Sequence, residues 1–441
     1  MITSIFDTAT FGNPIISRFF SVVIASISIM SAATGCTIPG IGSFGGDTGS
    51  LYGVLKKDPN NKDISGGTYL RANAVQIGAT TESKDVSGAA LATLSIRKLQ
   101  QVDKDTLYAL TAEKGLFFSS NGGVTWKRKY IYNINSNKGT AEEKTADTNS
   151  KISQNDQFNI LDFVFDVNSP GTIFVSGKDG SKIGKIFKSS DYGDSFTSTY
   201  TEVETNISVS RLALDPINPN RVYAILEKGV IIRSLDGGNN WQRIYSLKDS
   251  AGQIGFLPSG NNLLYVLTEA NLMTSGDDGA TFSVTPLKKK VKTTENSNYS
   301  NYGNQDILNN ISKVAFVQVG DYSVLKTRQD RGINTFEIFV IADRQLWYSD
   351  NLTNGFDLVQ LPLQSNQNNL LDIAFDPKLG SSKLMLSVEN KLLLSSNKGQ
   401  SWAISDSIRT QEKIGAINQI IIDRQDTDTN YLGLAKIKSG F

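Results

Sequence analysis

The sequence predicts an all-β protein: a seven-bladed β-propeller of four-stranded antiparallel blades, closed by N- and C-terminal strands that share the last blade. Three observations carry that prediction. An eight-residue pattern recurs six times. Three of the five steps between copies are 45, 41 and 46 residues, the length of one four-stranded blade. Each copy follows short apolar runs with the two-residue alternation of strands.

The pattern is Ser-x-Asp/Asn-x-Gly-x-Thr/Ser/Asn-Trp/Phe. It reads SSNGGVTW over Ser119, Asn121, Gly123 and Trp126, then SSDYGDSF over Ser189, Asp191, Gly193 and Phe196. It continues as SLDGGNNW over Ser234, Asp236, Gly238 and Trp241, and as SGDDGATF over Ser275, Asp277, Gly279 and Phe282. A worn copy, SDNLTNGF, runs from Ser349 to Phe356, and SSNKGQSW closes the series over Ser395, Asn397, Gly399 and Trp402. Asp or Asn in such a turn folds a short side-chain oxygen onto backbone amides, and Gly supplies a positive φ. The closing ring is expected to bury itself beside the next blade. The two long steps, 70 and 74 residues, contain polar insertions at 133–156 and 288–305.

The clearest unit shows the strand order. Val209 to Pro216 alternates, Pro219-Asn220 turns, Arg221 to Leu226 is β-rich, and Gly229 to Ser234 leads into the motif. That is strand a, turn, strand b, loop, strand c, motif turn, strand d. After the sixth copy the chain holds only a strand a (Ala416 to Asp423) and a strand b (Asn430 to Lys436). Near the other end, Tyr52 to Asp58 has the look of strand c and Gly67 to Val75 of strand d, so both ends are expected to build the seventh blade and leave no long unpaired edge.

The motif resembles the Asp-box, or BNR repeat, of sialidases, sortilin-type receptors, xyloglucanases and photosystem II assembly factors. Over residues 52 to 437 the best likeness is to the assembly-factor type. It implies a non-catalytic scaffold that binds a protein, or a glycan, through its loop-bearing face. Nothing like that family's arginine cluster stands out in the sequence. A glycoside hydrolase of the sialidase or xyloglucanase type, working with paired carboxylates, is the alternative the resemblance leaves open. The sialidase Arg-Ile-Pro tripeptide is missing from the chain.

With strand a innermost, d-to-a and b-to-c connections share one face. Both insertions are d-to-a connections, so Lys288, Lys289, Lys290 and Lys292, with Tyr299 and Tyr302, are the expected partner-binding residues. Short charged b-to-c connections accompany them, among them Asp343-Arg344 and Glu389. Loops on a rigid frame are where function concentrates.

The first 35 residues read as an export signal: Arg18, then Phe19 to Thr34 without a charge, then Gly35-Cys36. The segment resembles a bacterial lipoprotein signal, which implies cleavage before Cys36 and its acylation, and hence an exported, membrane-anchored place in the cell envelope. A retained anchor or an ordinary signal is the alternative. Residues 36 to 50, rich in Gly, Ser and Thr, form a flexible tether, and 51 to 441 form the single propeller domain.

Composition narrows the chemistry. The 441 residues include 44 Lys+Arg against 43 Asp+Glu, one Cys and no His. That excludes Ser-His-Asp and Cys-His nucleophiles, imidazole metal sites, internal disulfides and thiolate zinc cages. Balanced charge gives no electrostatic reason to expect nucleic acid, and no cofactor-binding motif or metal site is expected.

Overall fold

A blade whose strands are apolar on both faces can bury them only between two other blades, so the repeat has to close on itself. The computed structural model describes residues 50–57, 69–71, 94–131, 158–257, 263–290, 307–318, 336–352, 355–363, 369–378, 380–405 and 413–436, and every regular element among them is a strand. The signal and Cys36 lie outside the described residues, as do Lys292, Tyr299, Tyr302 and the insertion from 133 onward. From Gly49 the chain forms one compact unit.

Seven four-stranded antiparallel sheets are present. Blade 1 is Ile96–Gln101, Leu107–Thr111, Gly115–Ser119 and Lys127–Arg128. Blade 2 is Asn159–Phe165, Ile173–Lys178, Ile183–Ser189 and Thr197–Thr205. Blade 3 is Val209–Leu214, Val222–Leu226, Val230–Ser234 and Gln242–Ser246. Blade 4 is Ala251–Phe256, Leu264–Thr268, Asn271–Ser275 and Ser283–Pro286. Blade 5 is Ile311–Gln318, Phe336–Ala342, Gln345–Ser349 and Asp357–Leu358, and blade 6 is Leu370–Asp376, Gly380–Val388, Lys391–Ser395 and Ala403–Ile404.

Blade 7 takes Ala416–Ile422 and Asn430–Ala435 from the C-terminal end, then Gly53–Lys57 and Tyr69–Arg71 from the other. The joint is an antiparallel ladder in which Gly53, Val54, Leu55 and Lys56 face Leu434, Gly433, Leu432 and Tyr431. A two-residue parallel pairing of Ser50–Leu51 with Lys413–Ile414 reinforces it. Shared closure is therefore observed with the strand order expected from sequence.

Every interface between neighbouring blades carries its own apolar cluster, seven in all. The second strands are their centre: Leu107–Thr111, Val222–Leu226 and Leu264–Thr268 are buried at every position. Such strands read as continuous apolar runs because both faces meet a neighbour.

The five intact motif turns share one hydrogen-bond pattern. The amide of the motif glycine donates to the serine Oγ at 2.8–2.9 Å. That hydroxyl donates to the Asp or Asn Oδ1, which also accepts the amide four residues on at 2.9 Å. Motif glycines Gly123, Gly193, Gly238, Gly279 and Gly399 sit at φ between 77° and 93°, where a Cβ would be strained.

The closing rings correct one expectation. They pack against the preceding blade, not the following one: Trp126 joins Val54 and Tyr431 of blade 7, Trp241 joins Val164 and Phe174 of blade 2, and Trp402 joins Phe339 of blade 5. Each indole Nε1 donates to the carbonyl of its own motif glycine at 3.0 Å. That bond turns the ring back under its own turn, where the neighbour's second strand supplies the cover.

Motif carboxylates give the fold an acid-sensitive element. Burial opposes ionisation of Asp191, but hydrogen bonds from Ser195 and Ser189 outweigh it and hold the carboxyl at about 2, against an ordinary 3.8. Thr281 and Ser275 hold Asp277 at about 2 in the same way. A pKa lowered on folding stabilises above the unfolded value and loses that stabilisation as pH falls through the folded one. Stability measured as a urea midpoint is therefore expected to fall between about pH 4 and pH 2. The double variant Asp191→Asn, Asp277→Asn should show a shallower fall. Asn121 and Asn397 already fill this position, donating to Thr125 and Ser401 at 2.8 Å, so the turns should survive. An unchanged slope would refute the assignment.

Candidate functional site

Strand a of every blade lines the centre of the ring, and each carries the same irregularity. The register against strand b slips between residues 96 and 98, 160 and 162, 209 and 211, 251 and 253, 311 and 313, 370 and 372, and 417 and 419. A bulge re-aims the next side chain and twists the edge. The residues so placed are Lys98, Asp162, Arg211, Gln253, Lys313, Asp372 and Gln419, and all seven are polar.

Several of them stitch blades together at the inner edge. Lys98 Nζ lies 2.7 Å from Asp162 Oδ1, and Asp162 Oδ2 accepts the amide of Leu212 at 2.8 Å, so one carboxylate joins blades 1, 2 and 3. Asp372 repeats the device, pairing with Lys313 and accepting the Ile420 amide at 2.7 Å across blades 5, 6 and 7. Gln253 Oε1 accepts the Val314 amide at 3.3 Å and its Nε2 donates to Tyr265 Oη at 2.6 Å. Burial pushes that phenol's pKa up, so it stays protonated. An innermost strand has an unpaired edge, and these side chains satisfy it.

Arg211 differs. Its guanidinium bonds only carbonyl oxygens, those of Gly252 at 3.1 Å and Ser210 at 2.9 Å, and no carboxylate partner is recorded for it among the described residues.

On the face where strands a begin and strands b end, a cavity of 960 Å3 opens across blades 5, 6, 7 and 1. Ile341, Leu370 and Leu371 give it aliphatic surface, and Asn310, Asn369 and Asn418 give it amides. Five charged residues line it: Arg97, Asp343, Arg344, Glu389 and Lys436. No aromatic side chain lines it among the described residues. Asp343 accepts a hydrogen bond from Asn310 at 2.8 Å. Lys436 Nζ stands 3.8 Å from Glu113 and 5.9 Å from the Tyr52 ring.

The cavity lies on the face expected to bind a partner, and Asp343-Arg344 and Glu389 are the b-to-c connections already singled out there. Arg97 and Asn418 were not. Their signal is faint: each is the bulged residue just before the recurring polar position of strand a, so a polar residue there points away from the ladder.

The described part of the lysine run, Lys288 to Lys290, lies along blade 5. After strand d of blade 4, residues 288–290 run parallel to Phe356 on the outer edge of blade 5. The Phe356 amide donates to the Lys288 carbonyl at 2.8 Å, and the Lys290 amide donates back to Phe356 at 2.9 Å. Lys290 Nζ is 2.9 Å from Asp357, and Lys289 Nζ lies 5.4 Å from the Trp347 ring. The strap covers the worn motif copy, where Ser349 Oγ stands 2.7 Å from the Asn351 carbonyl instead of capping a glycine amide. Among the described residues no group of three acidic, His or Cys side chains could hold a metal.

No protein-family model matches the chain, and no curated protein matches its sequence. Solved structures match its fold. YCF48 bound to a D1 peptide is 13% identical at a TM-score of 0.51, covering 79% of this chain and 94% of that one. YCF48 from Cyanidioschyzon merolae is 14% identical at 0.51, covering 77% and 96%. A GH74 xyloglucanase from Xanthomonas campestris is 14% identical at 0.53, covering 78% of this chain but 51% of its own, so the chain spans about half of that enzyme. At these identities the likeness is one of fold: a seven-bladed β-propeller, shared by a peptide-bound protein and by glycosidases.

Proposed function

We propose that this chain is an exported, lipid-anchored binding scaffold that holds a segment of a protein partner in the cavity between blades 5, 6, 7 and 1. The cavity carries the reading. It sits at the rim of a rigid ring, it is large enough for several residues of extended chain, and its amide side chains offer both a donor and an acceptor to a peptide backbone. The lack of aromatic lining among the described residues favours peptide over sugar, since rings are the usual platform for a sugar face. A propeller of the same fold has been solved with a peptide bound. Anchoring rests on Gly35-Cys36 after an uncharged run, and the mass of the mature N-terminal peptide tests it.

Leu371→Trp places a large ring in the cavity while leaving the interblade clusters alone. Affinity capture from envelope extracts, with the mature body as bait, is expected to lose its partner with this variant at an unchanged melting temperature. Capture of the same partner by both proteins would refute the cavity as the binding site.

A further inference from the structure

Resting on the cavity reading above, we infer that the bound segment presents a carboxylate to Arg97 and Arg344. These arginines lie 247 positions apart in the sequence, and the ring brings both to one cavity. Both are exposed, and no ion pair or side-chain hydrogen bond of either is recorded among the described residues. Four cations elsewhere on the ring have carboxylate partners, Lys98 with Asp162, Arg221 with Asp215, Arg243 with Glu202 and Lys313 with Asp372. A guanidinium offers a planar fork of donors that fits a carboxylate bidentately. The aliphatic surface of Ile341, Leu370 and Leu371 lowers the local dielectric, which strengthens that attraction relative to open water.

The two acids of the cavity are unequal. Asp343 is occupied by the Asn310 amide. Glu389, on the b-to-c connection of blade 6, has no cationic partner recorded among the described residues and repels an incoming carboxylate. It sets where along the cavity the ligand's charge is tolerated, toward Arg97 and Arg344 and away from blade 6.

The test uses immobilised decapeptides in three matched sets: apolar-acidic sequences with a free C-terminus, the same sequences amidated, and the same with Asp and Glu replaced by Asn and Gln. The wild-type body is expected to bind the first set and to lose it as salt is raised. Loss on amidation assigns the carboxylate to the chain end, and loss on amide replacement assigns it to a side chain. Arg97→Gln with Arg344→Gln should weaken binding at least tenfold, and Glu389→Gln should tighten it about threefold. Both variants should melt like wild type, since neither arginine carries a recorded internal bond. Equal binding of all three sets, insensitive to the arginine variant but abolished by Leu371→Trp, would overturn the carboxylate and leave the cavity. Binding that survives Leu371→Trp would overturn the cavity itself. No binding of any set overturns the carboxylate inference.

Discussion

Deleting residues 413–441 is expected to abolish cooperative folding of the whole ring, not to trim it. The segment supplies strands a and b of blade 7, and with them the buried Ile414, Ile417, Ile420, Ile422, Tyr431, Leu432 and Leu434. Burying a large apolar side chain contributes about 1.5–3 kcal/mol. Seven such losses rival the whole margin of about 5–15 kcal/mol by which domains are stable. The damage also spreads to both neighbours. Tyr431 belongs to the cluster of Trp126 and Leu107 in blade 1, and Ile417 and Leu432 belong to that of Met385 and Leu392 in blade 6. Gly53–Lys57 would lose its inner partner and expose a strand edge. Circular dichroism and dye binding should show a broad, non-cooperative transition with exposed apolar surface. A truncated chain that melts sharply at the wild-type midpoint would refute closure by blade 7.

Blade number, strand order and closure were legible because their grammar is local. Ser, Asp or Asn, Gly and an aromatic ring within eight residues fix a turn, and its spacing fixes the blade. The same grammar found the leftover strands at Ala416 and Tyr52. Which way Trp126, Trp241 and Trp402 face was not legible. Both neighbours offer an apolar second strand, and the choice depends on the indole bond to the motif glycine, a matter of three-dimensional geometry. The inner ring was missed for another reason. Lys98 and Asp162 are 64 residues apart, and Lys313 and Asp372 are 59 apart, so no window the length of one blade shows them as pairs. A polar residue near the start of each strand a was visible, but it reads equally as an irregular strand. The strap at 288–290 was hidden because a lysine run looks like a solvated loop whether or not its backbone pairs. The cavity is lined by residues of blades 5, 6, 7 and 1, which no local window brings together.

Among single substitutions outside the apolar clusters, Asp372→Ala is expected to cost most. Its carboxylate, 3% exposed, faces Lys313 and accepts the amides of Ile373 at 3.0 Å and Ile420 at 2.7 Å. Removing one partner of a buried pair typically costs about 3–5 kcal/mol, because the remaining charge and donors are left desolvated. The Lys313 side chain keeps 26% exposure and can recover some water, which places the loss near the lower end, about 3 kcal/mol. Asp357→Ala removes an equally well-formed ion pair, with Lys290 at 2.9 Å, but both partners are more than half exposed. Exposed pairs contribute little, so that variant should be nearly neutral. The contrast separates burial from mere charge pairing. Asp372→Asn should fall between them: it keeps an oxygen for the Ile420 amide and loses the charge opposite Lys313. Urea unfolding of the three variants reads the order directly. An Asp372→Ala protein as stable as Asp357→Ala would mean that the carboxylate does not join blades 5, 6 and 7, and that closure at the inner edge rests on the backbone alone.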